Sequence, residues 1–385
     1  MTKSPANPSA ANSTRRGQTR RAFLRQGAAL GSLALAAPMV IRKAEAEEKV
    51  LNWLTYSGHS ADEVVGPFKE ATGITIKAKE YADGEKMLAL IHGSPRGTFD
   101  LVTSDAPYVE LLVKSGLLQE MEPGDYALDS FFPEFRSWEQ HWFDGKLMAL
   151  MTSWGYNGLA YNTEKLSADD VSSYDVMWSE AVKGKLGMRD WYLPVMGCVS
   201  AHMGHPDPYN IDDAQFEALK EHMFTLKPNV AGFWNFAGVF DSLANGGAYV
   251  IPGCGDWITG LLQRSNHPIR SAVPKEGAIM WTESVSIVND TPRLDAAKEL
   301  IRYLTGVEGQ TRLMTKSSYM ANGPSMDAWK HLNETNPAEA AMLHMTEESD
   351  NIMATLRDGR IIPRRLPSNQ SMESWQEAYT QFQNL

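Results

Sequence analysis

Trp281 and Glu283 stand two residues apart in Met280–Val288, a run whose alternating character predicts a strand. A period of two puts both side chains on one face. A carboxylate on a buried strand face is costly without a partner, so Glu283 calls for a counterpart, within the chain or in a ligand. Eleven tryptophans in 385 residues are a surplus that needs an explanation. Metal and redox chemistry have weaker support. His202-x-x-His205 has a ligand-like spacing but sits in a Gly/Pro-rich loop with no third ligand nearby, so no metal site is expected. Cys198 and Cys254 are too few for a structural zinc site, and pairing or free thiols are both open. No P-loop, GxGxxG, HExxH or GxSxG occurs, so no cofactor is expected either. The nineteen methionines are scattered and read as core filler.

Charge divides the chain. Overall, 36 Lys+Arg face 47 Asp+Glu, a net of −11. Residues 1–46 hold eight bases and one acid, a local +7, which leaves −18 to the rest. That balance argues against nucleic acid, which needs a basic footprint. The first stretch reads as an export signal: a basic start, an apolar run from Gly27 to Ile41, then Ala44-Glu45-Ala46 as a small-x-small cleavage site. Thr19-Arg20-Arg21-Ala22-Phe23-Leu24-Arg25 resembles the twin-arginine motif. The expected mature chain starts near Glu47 and works in the periplasm.

The mature chain opens with strands and helices in alternation. Strands are expected at Val50–Leu54, Ile74–Lys79 and Phe99–Thr103, and helices at Asp62–Ala71, Gly84–His92 and Pro107–Lys114. Such units make a mostly parallel sheet, with ligands at the C-terminal strand ends. Trp53–Tyr56 and Ser104–Pro107 both lie at such ends, which places them at one crevice. A second α/β unit starts near Trp154, with a helix at Ala214–Leu226 and a strand at Ala248–Ile251; Arg293–Thr305 is a further helix. An exported two-lobed α/β chain without a catalytic motif points to solute capture by hinge closure. An exported enzyme acting on a small cationic metabolite is the alternative.

Leu51-Asn52-Trp53-Leu54-Thr55-Tyr56, Phe68-x-x-x-Thr72-Gly73-Ile74 and Phe99-Asp100-Leu101-Val102 resemble the opening of the spermidine/putrescine-binding proteins of ABC importers. The resemblance continues in order through Ser153-Trp154-Gly155, Leu159-Ala160-Tyr161-Asn162, Lys183-Gly184, Lys227-Pro228-Asn229-Val230-Ala231 and Pro274 to Ser284. It implies an α/β fold of the type II periplasmic binding class, with two lobes, central mixed sheets and a ligand cleft at the hinge. Residues 47–151 and 281–326 would form lobe one, and 152–280 and 327–385 lobe two. It further implies a monomer that takes a small organic cation and docks on the importer's membrane subunits.

In that family a polycation lies between aromatic faces while carboxylates bind its amines. The resemblance assigns Trp53, Tyr56, Trp281, Glu283 and Tyr319 to this site, and the second-lobe indole to Trp257 if the chain shifts by three. The departures matter as much. Asp105 and Pro107 stand where the family offers Ser and Tyr. Asp190-Trp191 puts an indole where an acid is usual. Arg364-Arg365 falls where a neutral amide would sit, and Arg365 is taken as the pocket residue. Fewer acids, an added indole and an added cation suit a betaine or sulfonium zwitterion, with its carboxylate on Arg. The two acids Asp105 and Glu283 suit a polyamine. Both remain open at the level of sequence.

Overall fold

The computed structural model describes residues 49–345 and 351–385; the expected export segment 1–46 lies outside them. Val50–Tyr56 forms β1, and Asp62–Thr72 forms α1, buried through Val64, Val65 and Phe68. Gly73 ends α1 in the left-handed region (φ 69°), its N–H donating to Lys69 O, the glycine stop read from the sequence. Thr75–Tyr81 (β2), Gly84–Gly93 (α2), Leu101–Asp105 (β3) and Ala106–Lys114 (α3) complete this unit, with β2 and β3 both parallel to β1.

Leu150–Asn162 is β4, buried along its whole length. Next come Leu186–Arg189 (β5), the helix Tyr192–His202 (α4), Val230–Trp234 (β6), Val250–Cys254 (β7) and the helix Asp256–Arg264 (α5). The last sheet strands are Ile269–Ala272 (β8), Ala278–Ile287 (β9) and Ile361–Pro363 (β10). The strand order is β2-β1-β3-β9-β4-β7-β5-β6, with β8 on β4 and β10 on β9. The sheet is mixed. β9 runs antiparallel to β3 and β4, and β4 antiparallel to β7, whereas β5 is parallel to β6 and β7.

Two large apolar cores hang on this sheet. One gathers Leu51, Phe68, Leu101, Leu300 and Trp329, the other Leu159, Leu193, Tyr209, Trp375 and Phe382. The long strands β4 and β9 feed both, with Tyr156 and Met280 in the first and Leu159 and Ile279 in the second. Trp329, Leu332 and Met353 lie in the first core, with β1. Among the described residues no helix is long and apolar enough to cross a membrane.

Candidate functional site

Strand pairing builds the site. Glu283 on β9 lies directly opposite Asp105 at the end of β3. Trp281, two residues back on the same face, lies opposite Gly155 on β4. A glycine is required there, because a Cβ would come within 2.6 Å of the Trp281 ring and 2.8 Å of Asp256 Oδ1. Two like charges opposed on neighbouring strands are unfavourable, and each is answered separately. Asp105 makes no helix-cap bond to α3. It accepts from Thr282 N (3.2 Å) and pairs with Nη2 of the buried Arg364. Burial pushes the Asp105 carboxyl up, with Arg364 opposing. Burial would lower Arg364, but Asp105 and the surrounding phenols hold it above its ordinary value. Glu283 accepts from the Tyr319 hydroxyl through Oε1, and its Oε2 lies 3.1 Å from His59 Nε2. His59 is fixed from behind by Thr55 Oγ1, 3.2 Å from its Nδ1.

These groups face one open cavity. Tyr56, Asp105, Trp191, Trp257, Trp281, Glu283 and Tyr319 all reach its wall, so seven of the ten residues singled out from the sequence converge. Tyr319 stands edge-on to Trp281 (81°, 6.1 Å). Trp257, at the start of α5, donates from Nε1 to Asn157 Oδ1 (3.2 Å).

Three expected residues lie elsewhere. Trp53 is 1% exposed and part of the first core, donating from Nε1 to Thr103 Oγ1 (2.9 Å). It is three residues from Tyr56 on one strand, so the two side chains leave opposite faces. Asp190 follows the end of β5 and faces a separate groove beside Asp83 and Lys86. Arg365 turns outward to Glu139 and Asp207, and its neighbour Arg364 takes the pocket position instead.

The structure also adds residues that the sequence reading missed. Arg189 ends β5 and donates from Nη1 to Gly253 O (3.2 Å); its guanidinium lies 5.1 Å from the Trp257 ring and 5.4 Å from that of Trp191. Burial, with Arg364 nearby, pushes Arg189 below its ordinary value. The signal was available, since β5 ends in Arg189 and the strand ends carry the site. Phe236 follows β6 and stacks on Trp257 (19°, 5.3 Å), with 41% of its surface exposed.

The two cysteines are free thiols, both buried and raised by burial, Cys198 to about 11 and Cys254 to about 12. His202 and His205 do not converge. His205 bonds Ser200 Oγ (2.9 Å), while His202 lies 2.9 Å from Asp175 and 3.1 Å from His222. Asp175, His202 and Glu276 do bring donor atoms within 4.8 Å of one another, a grouping that sequence spacing could not show. The Lys275 ammonium lies 3.8 Å from Asp175 and 4.0 Å from Glu276.

The profile of the bacterial extracellular solute-binding proteins matches residues 63–341. The spermidine/putrescine-binding periplasmic protein 1 of Haemophilus influenzae is 22% identical over 274 residues, which are 69% of this chain and 73% of that one. The substrate-binding protein PotD of a Streptococcus pneumoniae spermidine/putrescine ABC transporter superposes with a TM-score of 0.70 at 16% identity, covering 87% of this chain and 99% of the other. The Atu4243 GABA receptor superposes at 0.63 with 18% identity, covering 86% and 97%. The architecture is thus the type II periplasmic binding fold, with two lobes and a cleft between them. Proteins of this fold carry names with different solutes, so the fold leaves the solute's charge to the side chains.

Proposed function

Because this chain belongs to the bacterial extracellular solute-binding protein family, we propose that it is the solute-capturing subunit of a polyamine-type ABC importer. Its solute is a small organic cation: a polyamine, or a betaine or sulfonium zwitterion such as glycine betaine or dimethylsulfoniopropionate. The carrying observation is one cavity in which Trp281, Trp257 and Tyr319 stand around the buried Glu283. Each cation–π contact contributes ~0.5–2 kcal/mol, more as water is excluded. The relatives' names point the same way.

In this reading the protein has no chemistry of its own. It works as a periplasmic monomer and presents the loaded, closed form to the importer's membrane subunits. The twin-arginine segment would deliver it. We place the hinge at the β4 and β9 crossings, where one strand serves both cores. The lobe limits expected from sequence put 327–385 in lobe two, but Trp329, Leu332 and Met353 share a core with Leu51 and Trp53 of β1, which supports carrying 327–345 and 351–357 with lobe one.

A thermal-shift screen over polyamines, betaines, sulfonium osmolytes, neutral amino acids and sugars tests the reading. A ligand at a hundredfold excess over its Kd stabilises the folded state by about 2.7 kcal/mol, a readily measured rise in Tm. A rise with organic cations is expected. A rise with sugars alone would overturn the proposal, and turnover of any compound would favour an enzyme.

A further inference from the structure

We propose that the cavity contains an oxyanion subsite, formed by Arg189 with unpartnered N–H groups of the same wall, so that the captured solute carries a carboxylate and is a zwitterion. This rests on the reading of the cavity as the solute site and names the solute's second charge.

The argument is an inventory of donors and acceptors. Four cavity-wall groups hold buried nitrogens with no hydrogen-bond partner: Trp191 Nε1, Trp281 Nε1, Asn157 Nδ2 and Arg364 Nε. All four are N–H donors. The wall's open acceptors are fewer: Asp105 Oδ2 and Glu283 Oε2 also accept no hydrogen bond, but the first is ion-paired with Arg364, which leaves Glu283 Oε2 for one cation. Asp105 faces Thr282 N and Arg364; Glu283 faces Tyr319 and His59. Asn157 Oδ1 takes the Trp257 indole. Arg189 adds a guanidinium with no carboxylate within ion-pair distance among the described residues; its one hydrogen bond goes to a carbonyl.

A polyamine brings only donors. It would leave these N–H groups unanswered in a dry site and place ammonium groups against Arg189, both unfavourable. A carboxylate brings two oxygens with about four lone-pair directions and no donor. Arginine's planar fork binds it in two parallel bonds. Glu283 with the Trp281 and Tyr319 rings remains for the cationic end.

Two matched ligand pairs read this directly by calorimetry on the whole protein. 4-Aminobutyrate and putrescine share a four-carbon chain and one amine, and differ by a carboxylate for an amine. Glycine betaine and choline share a trimethylammonium group and differ by a carboxylate for an alcohol. In at least one pair the carboxylate is expected to bind tenfold or more tightly than its partner. R189Q should reduce that preference to below threefold, and R189K should keep part of it. Putrescine or choline binding as tightly as its partner, or R189Q leaving the preference intact, would overturn the subsite yet leave the cation reading standing. Succinate binding while all four cations fail would do the reverse. Binding of none of the five would overturn both.

Discussion

A buried and a half-buried arginine approach the same indole, Arg364 at 4.9 Å and Arg189 at 5.4 Å from the Trp191 ring centre, and among the described residues only Arg364 of the two is paired with a carboxylate. The difference separates structure from function at one wall of the cavity. Arg364 arrives from the segment after β10, its backbone N–H on Met280 O (3.1 Å), and neutralises the acid that strand pairing has set against Glu283. It belongs to the scaffold. Arg189 sits at a strand end with no carboxylate at ion-pair distance among the described residues. A buried charge that the protein matches internally says little about a solute, whereas one left unmatched asks for a counter-charge.

Breaking the matched pair should have the largest effect. Asp105→Asn leaves Arg364 buried without its counter-ion, and removing one partner of a buried pair costs about 3–5 kcal/mol. Arg189→Gln removes a charge that has no carboxylate at ion-pair distance among the described residues and holds down the exposed Asp190 carboxyl only from further off, so the empty protein should change by less than about 1 kcal/mol or gain stability. Urea denaturation of both ligand-free variants measures this. The contrast fails if Asp105→Asn proves mild, or if Arg189→Gln costs as much.

A third buried group sharpens the comparison, because Asp256 has hydrogen bonds but no cation. It accepts from Trp257 N (2.9 Å) and Asn322 Nδ2 (2.7 Å), and burial raises it to about 8 against those bonds. The folded chain therefore holds a proton that the unfolded chain gives up near the ordinary Asp value. The stabilisation is complete at acid pH and is lost as pH climbs towards 8. Between pH 6 and 8 the loss is about 2 kcal/mol at ~1.4 kcal/mol per unit. Asp256→Asn should abolish that part of the slope, since Asn322 Oδ1 has no partner and can accept from the new amide once its own amide turns. Parallel melting curves of the two proteins from pH 5 to 9 would show it; profiles of equal slope would refute it.

Sequence revealed the site unevenly, and for physical reasons. Alternating strands and amphipathic helices in the first unit show their period, so α1, β3 and the meeting of Tyr56 and Asp105 at one crevice are legible in the sequence, whereas Trp281 and Glu283 join them there through the family resemblance. α4 could not. Ten of its eleven residues are buried, so it has no polar face to set a 3.6-residue period, and Pro194 reads as a break although it lies in the first turn. The resemblance pairs Trp53 with Tyr56, but three residues apart on one strand the two face opposite sides, and Trp53 enters the core. Arg189 was overlooked because an arginine at a strand end looks solvated until both flanking indoles, Trp191 and Trp257, are known to close over it.

The smallest expected effect lies one residue from one of the largest. Just after β10, which ends at Pro363, two consecutive side chains part. Arg364 goes in, 6% exposed, while the Arg365 side chain, 42% exposed, reaches Glu139 and, at 3.7 Å, Asp207. Exposed pairs of this kind contribute about 0–1 kcal/mol. Arg365→Ala should therefore move the urea midpoint little and leave the affinity for any solute found by the thermal screen within twofold. Sequence alone had put Arg365 in the pocket, so this variant tests that choice against the structure. A tenfold loss of solute affinity in Arg365→Ala would mean that the chain after β10 turns over when the cleft closes. In that case Arg365, rather than Arg364, would face the solute.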